Sequence, residues 1–310
     1  MPPHKESMEE SAARGLFVIH NPAAGPTQAE RLQRRVETTL AARKIPYEYV
    51  RTEAPGHARR LAEAALAGGY GRVVVAGGDG TVHEVVAALV GRESALALLP
   101  VGTGNQLAAN LGVPSGVRAA LDIAVAGSVR QIDVGVMDGQ PFTIIAGAGF
   151  DAEVVRPRSE VKKRLGYLAY VHAATAAALA PRPSTLRITV DGEQHVFNGI
   201  GVEVANVPGL TAPLLRRPVA LVPDGRPDDG LLDVCVLAVV TTRDFLSAMG
   251  SIIARRYERN PRLRYFRGHE VIVEADPPLP VQIDGERLER TTPFAAKIRP
   301  RALNIVAPVE

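Results

Sequence analysis

Arg72-Val73-Val74-Val75-Ala76-Gly77-Gly78-Asp79-Gly80-Thr81-Val82-His83-Glu84-Val85-Val86-Ala87-Ala88-Leu89-Val90-Gly91 sets the architecture of this chain. A β-branched run predicts a buried strand, three glycines around one carboxylate predict a tight loop, and a one-sided apolar pattern predicts a helix stopping at Gly91. Glycines let main-chain N–H groups approach a ligand with no Cβ in the way, and the first turn of a helix adds unpaired donors and partial positive charge. Such a loop suits phosphate. A lone carboxylate, Asp79, would repel that phosphate unless it holds a magnesium ion or its water shell, so the stretch points to Mg-nucleotide chemistry. No Walker A pattern and no complete G-x-G-x-x-G accompanies it.

Working outward toward the N-terminus, Gly15 to His20 reads as a buried strand and Asn21-Pro22-Ala23-Ala24-Gly25 as a turn. A helix is predicted from about Thr27 to Arg43, a strand over Tyr47 to Arg51 leading to Thr52, and a helix from near His57 to Leu66. After the Asp79 segment come a strand at Ala95 to Leu99, a second glycine-rich loop Pro100-Val101-Gly102-Thr103-Gly104-Asn105, a short helix closing at Gly112 and another from Ser115 to Ala126. Alternation of this kind predicts an α/β domain, a parallel sheet with helices on both faces. Ligands of such sheets gather at the carboxyl ends of the strands, where Asn21, Thr52 and the two loops would meet.

From Val129 the pattern changes to short strands and hairpins, with Asp138-Gly139, Asp191-Gly192 and Asp284-Gly285 as turn signals. Strands are expected at 186–190, 199–206, 231–236, 270–274 and 294–298, making an antiparallel β-sandwich interrupted by helices at 165–180 and 241–257. The expected organisation is a loose tail over 1–13, a nucleotide-binding domain over 14–130 with 300–310 returning to it, and a sandwich over 131–299.

Composition narrows the function classes. The length of 310 residues suits two domains, since one core seldom grows past about 250. A single cysteine, Cys235, excludes an internal disulfide framework and fits a reducing, cytoplasmic setting. Met1 to Ala13 lacks an apolar signal core, and no stretch is apolar enough to span a bilayer. A net charge of +3 is mildly basic, and with 5% aromatics and no tryptophan a nucleic-acid stacking platform is not expected. The cations are clustered, as Arg156, Arg158, Lys162, Lys163 and Arg164 and again as Arg255, Arg256, Arg259, Arg262, Arg264 and Arg267, so a peripheral contact with an anionic membrane surface is expected.

The Asn-Pro-x-x-Gly turn, Gly-Gly-Asp-Gly-Thr, Pro-x-Gly-Thr-x-Asn, Gly147-Ala148-Gly149-Phe150-Asp151 and Asp284-Gly285-Glu286 stand in the order found in the diacylglycerol kinase catalytic family, which the chain resembles over nearly its whole length after residue 14. That resemblance implies a lipid kinase using ATP and Mg²⁺ on a neutral lipid, diacylglycerol foremost; a sphingoid, ceramide or phosphatidylglycerol kinase, an NAD kinase and a non-catalytic nucleotide or lipid sensor are the rivals. It implies an ATP site lined by Asn21, Thr52, Gly77, Gly78, Asp79, Gly80, Thr81, Val82, His83 and Thr103. Glu286 would accept the lipid hydroxyl proton across an interdomain cleft from Asp79, with Asp133 orienting it, and lipid would enter beside Gly147 to Asp151. A structural ion would sit on Asp229 and the main-chain oxygens of Arg226 and Leu231, in a segment like the family's Asp-Asp-Gly loop. Gln106 stands where many members carry Asp, which leaves the catalytic metal to Asp79 and Asp133. A homodimer is compatible with all of this.

Overall fold

The computed structural model describes residues 15–24, 29–150, 152, 181–210, 219–222, 225–256 and 259–309. The expected tail, the basic group 156–164, the helix at 165–180 and Asp151 lie outside them. The chain divides into two units, Met1–Ile132 with Thr211–Arg217 and Arg301–Glu310, and Asp133–Leu210 with Pro218–Pro300.

The first unit alternates β1 (Leu16–His20), α1 (Ala29–Ala42), β2 (Tyr47–Arg51), α2 (His57–Ala67), β3 (Arg72–Gly77), α3 (Asp79–Leu89), β4 (Ala95–Pro100), α4 (Gln106–Asn110) and α5 (Val117–Ala126). Its strands run parallel in the order β2-β1-β3-β4. Val73, Val74, Val75 and Ala76 of β3 are all buried, as a central parallel strand covered on both faces must be. Leu32, Val36 and Leu40 form the buried stripe of α1, and the small Ala58, Ala62 and Ala65 line the buried side of α2, which packs on α3.

The second unit begins within β5 (Ser128–Met137) and continues through β6 (Gln140–Phe142), β7 (Ile145–Gly149), β8 (Ser184–Val190), β9 (Glu193–Gly199), β10 (Gly201–Ala205), the short pair β11 (Gly209–Leu210) and β12 (Val219–Ala220), and β13 (Leu232–Leu237). Then come α6 (Thr242–Ile253), β14 (Leu263–Gly268), β15 (Glu270–Asp276), β16 (Pro280–Ile283), β17 (Glu286–Thr291) and β18 (Phe294–Ala307). One antiparallel sheet has the order β14-β13-β10-β7-β16-β17; facing it are the antiparallel neighbours β18, β15, β8 and β9. Val202, Val204, Val234, Val236, Ile188 and Val273 belong to the core between them.

The three Asp-Gly pairs expected as hairpin turns, at 138, 191 and 284, have positive φ at both residues, 46° and 88°, 47° and 89°, 46° and 84° in chain order, the signature of type I′. Each aspartate also staples its turn to a neighbouring segment. Asp138 accepts from the Ala295 N–H, Asp191 from those of His269 and Glu270, and Asp284 from those of Thr143, Ile144 and Ile145.

Three expectations are corrected. The strand expected at 294–298 and the returning segment 300–310 share one 14-residue strand, β18 (Phe294–Ala307), whose first residues pair with β15 and whose Ile305 pairs in parallel with Leu96. Helix α6 ends at Ile253, short of 257, because Arg255 turns left-handed at φ 53°. The second arginine group is no single patch: β14 runs through it, and Arg262 and Arg267 are taken by Asp244 and by Asp229 and Asp233.

Candidate active site

In the first unit the strand ends are tied together by main-chain groups and short polar side chains. Asn21, just past β1, donates its N–H to the Ala76 carbonyl at 2.9 Å and its Nδ2 to Thr81 Oγ1 at 2.8 Å. The Thr52 N–H bonds the His20 carbonyl at 2.8 Å, fixing the end of β2 beside the same turn. Gly77 lies so close beneath α3 that a Cβ there would meet Thr81 Cβ at 2.7 Å.

The two glycine-rich loops meet backbone to backbone. A Cβ on Gly102 would lie 2.5 Å from Gly78 Cα, and one on Gly104 would lie 2.5 Å from Asp79 Oδ2. Asp79 Oδ1 accepts from the Gln106 N–H at 2.6 Å, so the carboxylate closes the start of α4, where a negative charge is favoured. Helix α3 itself begins at Gly78 with no side-chain cap. The residue at 106 therefore reaches Asp79 through its main chain, a contact that any residue but proline supplies, so glutamine in place of aspartate does not disturb it.

Two groups add order beneath these loops. Glu84 accepts from the Gly56 and Ala58 N–H groups at 2.7 and 3.0 Å, capping the start of α2. Buried His20 shares a 2.8 Å hydrogen bond with the Tyr49 hydroxyl. Burial first, and then the Arg51 charge, push its pKa down to about 4, so the imidazole is neutral at pH 7.

In the second unit, Glu286 opens β17 opposite Ile283 and is exposed. Its hairpin is held by buried Asp284, which accepts from the Thr143, Ile144 and Ile145 N–H groups at 3.0, 2.9 and 3.0 Å, and by Gln282, which accepts from the Gly285 N–H at 2.8 Å. Asp133 is fully buried; its N–H bonds the Pro227 carbonyl and its carboxylate accepts from the Gly230 N–H, both at 2.7 Å. Its described partners thus lie in the 227–230 loop. Asn206 joins the two regions, donating Nδ2 to the carbonyls of Asp133 and Thr143 at 2.9 and 3.2 Å.

The residues present fit the two expected cations differently. Among the described residues no three of His, Cys, Asp and Glu cluster as a metal cage. Asp79 offers one carboxylate beside a helix N-terminus, which matches the habit of Mg²⁺ to keep its waters and share itself with phosphates. Asp229 is already engaged, accepting from the Leu231 N–H at 3.1 Å and paired with Arg267, which also holds Asp233 at 2.8 Å. Burial alone would lower the Arg267 pKa, but Asp233 and Asp229 together leave it raised. An ion on Arg226, Asp229 and Leu231 would have to displace this guanidinium.

Residues 15–137 match the model of the diacylglycerol kinase catalytic domain, and residues 144–307 match that of the YegS C-terminal, NAD kinase β-sandwich-like domain. A Pseudomonas aeruginosa protein named "Probable lipid kinase YegS-like" is 35% identical over 94% of both chains. The chain belongs to the diacylglycerol kinase catalytic family. The diacylglycerol kinase of Bacillus subtilis is 29% identical over 76% of this chain and 77% of its own. A crystal structure of a diacylglycerol kinase from Bacillus anthracis superposes with a TM-score of 0.77 at 24% identity, over 95% of this chain and 97% of that one, a likeness of fold.

This member of the diacylglycerol kinase family is accordingly a lipid-kinase-type phosphotransferase. In its first unit the residues singled out from sequence, Asn21, Thr52 and Gly77 to Thr81, share one hydrogen-bonded and closely packed set of strand ends. Gln106 was read only as a departure from the family's aspartate, and Glu84 and Asn206 were not singled out. The first acts through its main chain and leaves no side-chain signal; the other two are ordinary polar residues within apolar runs, which only long-range pairing makes structural.

Proposed function

We propose that this chain transfers the γ-phosphoryl group of ATP to the hydroxyl of a neutral lipid, with diacylglycerol as acceptor and phosphatidic acid as product, at an anionic membrane surface facing the cytoplasm. The observation that carries the reading is the contact of the two glycine loops around Asp79, with its carboxylate bonded to the Gln106 N–H and packed against Gly104. Main-chain N–H groups of Gly77 to His83 and the neighbourhood of Asn21, Thr52 and Thr103 would receive the nucleotide. Asp79 would hold a Mg²⁺ whose charge offsets that of the phosphates during transfer. The lipid oxygen attacks the γ-phosphorus, its proton passes to Glu286, and the bond to the bridging oxygen breaks to release ADP. Asp133 would act through the 227–230 loop and Asn206. The ion on Asp229, Arg226 and Leu231 remains part of this proposal only as an alternative to the Arg267 pairing.

The names of the relatives support a lipid acceptor, and those of the Bacillus proteins favour diacylglycerol. The deciding experiment incubates the protein with radiolabelled ATP and diacylglycerol, sphingosine, ceramide, phosphatidylglycerol or NAD, the lipids in mixed micelles. Label in phosphatidic acid is expected. Label in another lipid would reassign the acceptor, label in NAD alone would overturn the lipid reading, and ATP binding with no transfer would make the chain a sensor.

A further inference from the structure

We infer that helix α6 is a membrane-docking element that lays Leu246 and Ile253 into an anionic bilayer surface; the inference rests on the lipid-kinase reading for its purpose and on the helix itself for its substance. Most exposed large apolar side chains of this protein are scattered, but Leu246 and Ile253, 65% and 67% exposed, share one helix. They are seven residues apart, 20° short of two full turns, so they form one outward stripe roughly 10 Å long. The opposite face, Phe245, Ala248 and Ile252, is buried.

Among the described residues, the charge around the stripe is carried by arginines. Arg243 is exposed one turn before Leu246, and Arg255, Arg256 and Arg259 are exposed just past the helix end. Asp244 does not offset them. Its carboxylate faces inward, accepting from the Thr241 N–H in a capping box and from Arg262 at 2.9 Å. Apolar side chains flanked by guanidinium groups complement a surface with acyl chains beneath phosphate headgroups. A second copy of the chain is a poorer occupant, since two aliphatic side chains fall far short of the roughly 800 Å² per partner that a stable dimer buries.

The helix is also rooted where a lipid enzyme would need it. Phe245 packs on Phe150 with ring centroids 5.0 Å apart, directly after Gly147 to Gly149. Phe150 also walls a cavity of about 170 Å³ together with Gly149, Ile200, Leu279 and Arg182.

The test is co-sedimentation of the full chain with phosphatidylcholine vesicles, pure or doped with phosphatidylglycerol, at low and high salt. The Leu246→Gln/Ile253→Gln variant is expected to bind the anionic vesicles about tenfold more weakly than the parent. The Arg255→Gln/Arg256→Gln variant should lose about as much on anionic vesicles, lose the salt dependence and match the parent on neutral ones. All four side chains are exposed, so circular dichroism and thermal melting should be unchanged. Parent-like binding by the aliphatic variant, or equal binding of the parent to both vesicle types, would overturn the inference. Turnover of lipid dispersed in detergent micelles is expected to survive in both variants. A parent that binds vesicles through this helix yet phosphorylates no lipid would sink the proposed function and leave the docking surface standing.

Discussion

Gly104→Ala tests whether the position of the Asp79 carboxylate, as distinct from its charge, sets the rate. The new Cβ would lie 2.5 Å from Asp79 Oδ2, whereas ordinary contact begins at 3.4 Å, so the carboxylate must retreat by about 0.9 Å. Oδ1 would then leave the 2.6 Å bond to the Gln106 N–H. The atom met is the end of a side chain, so the fold can yield, and the stability loss should stay near the low end of a charge-assisted hydrogen bond, about 1.5 kcal/mol. Catalysis is less forgiving. A misplacement of about 1 Å in the catalytic array costs about 100-fold, and that is the expected fall in kcat/KM for ATP. Gly102→Ala is the counterpart, because its Cβ would meet Gly78 Cα, a main-chain atom, also at 2.5 Å. It should lose activity together with a larger share of stability, up to about 3 kcal/mol. The assays are steady-state kinetics with varied ATP and urea unfolding followed by circular dichroism. Parent-like kcat/KM in a folded Gly104→Ala protein would refute the argument that the loop contact positions the acid.

Asp79→Asn keeps an oxygen to accept from Gln106 but removes the charge, so it should melt like the parent and lose at least about 100-fold in kcat; a loss of only a few fold would remove Asp79 from the chemistry. Glu286→Gln alters an exposed residue and should leave stability within about 0.5 kcal/mol while lowering kcat at saturating ATP and lipid, and unimpaired turnover would leave it a turn residue only. His20 has a folded pKa of about 4 against about 6.5 unfolded, so its neutral form contributes stability in full above pH 6.5, lost as pH falls toward 4. The stability gap between the parent and His20→Gln should therefore shrink over that window by on the order of 3 kcal/mol, and a gap independent of pH would contradict the assignment. Gly147→Ala would drive a Cβ to within 1.8 Å of Glu203 Oε2 inside the sandwich and should cost about 2 kcal/mol or more in urea unfolding. Burial holds the Cys235 thiol up at about 12, so a thiol reagent at pH 8 should label it only as the protein unfolds, and rapid native labelling would contradict its burial.

Much of the fold was legible because its signals are local. The valines of β3 announce a doubly covered strand, the period of Leu32, Val36 and Leu40 a helix, and the Asp-Gly pairs at 138, 191 and 284 type I′ turns that few other residues can form. The glycines of the two phosphate-type loops were legible for the same reason, since the absence of a Cβ is a property of the residue itself. What those glycines make room for was not legible: Gly104 yields to a carboxylate 25 positions earlier, and Gly147 to a glutamate 56 positions later. The pairing of Asp79 with a main-chain N–H, of Arg262 and Arg267 with acids 18 to 38 positions earlier, and of Asn206 with two distant carbonyls follows from strand order and register, and register is a global minimum over many pairs that no short window encodes. Continuity of β18 from β15 to β4 is the same kind of fact. Pro300 reads locally as a break and Arg301 does turn left-handed at φ 50°, yet the segments on either side are paired as parts of one strand. Local sequence thus carries most of the elements, the family and the residue types of the site; which charges are spent inside the fold and which remain for a ligand is a property of the folded chain, because solvation and pairing depend on neighbours far along it.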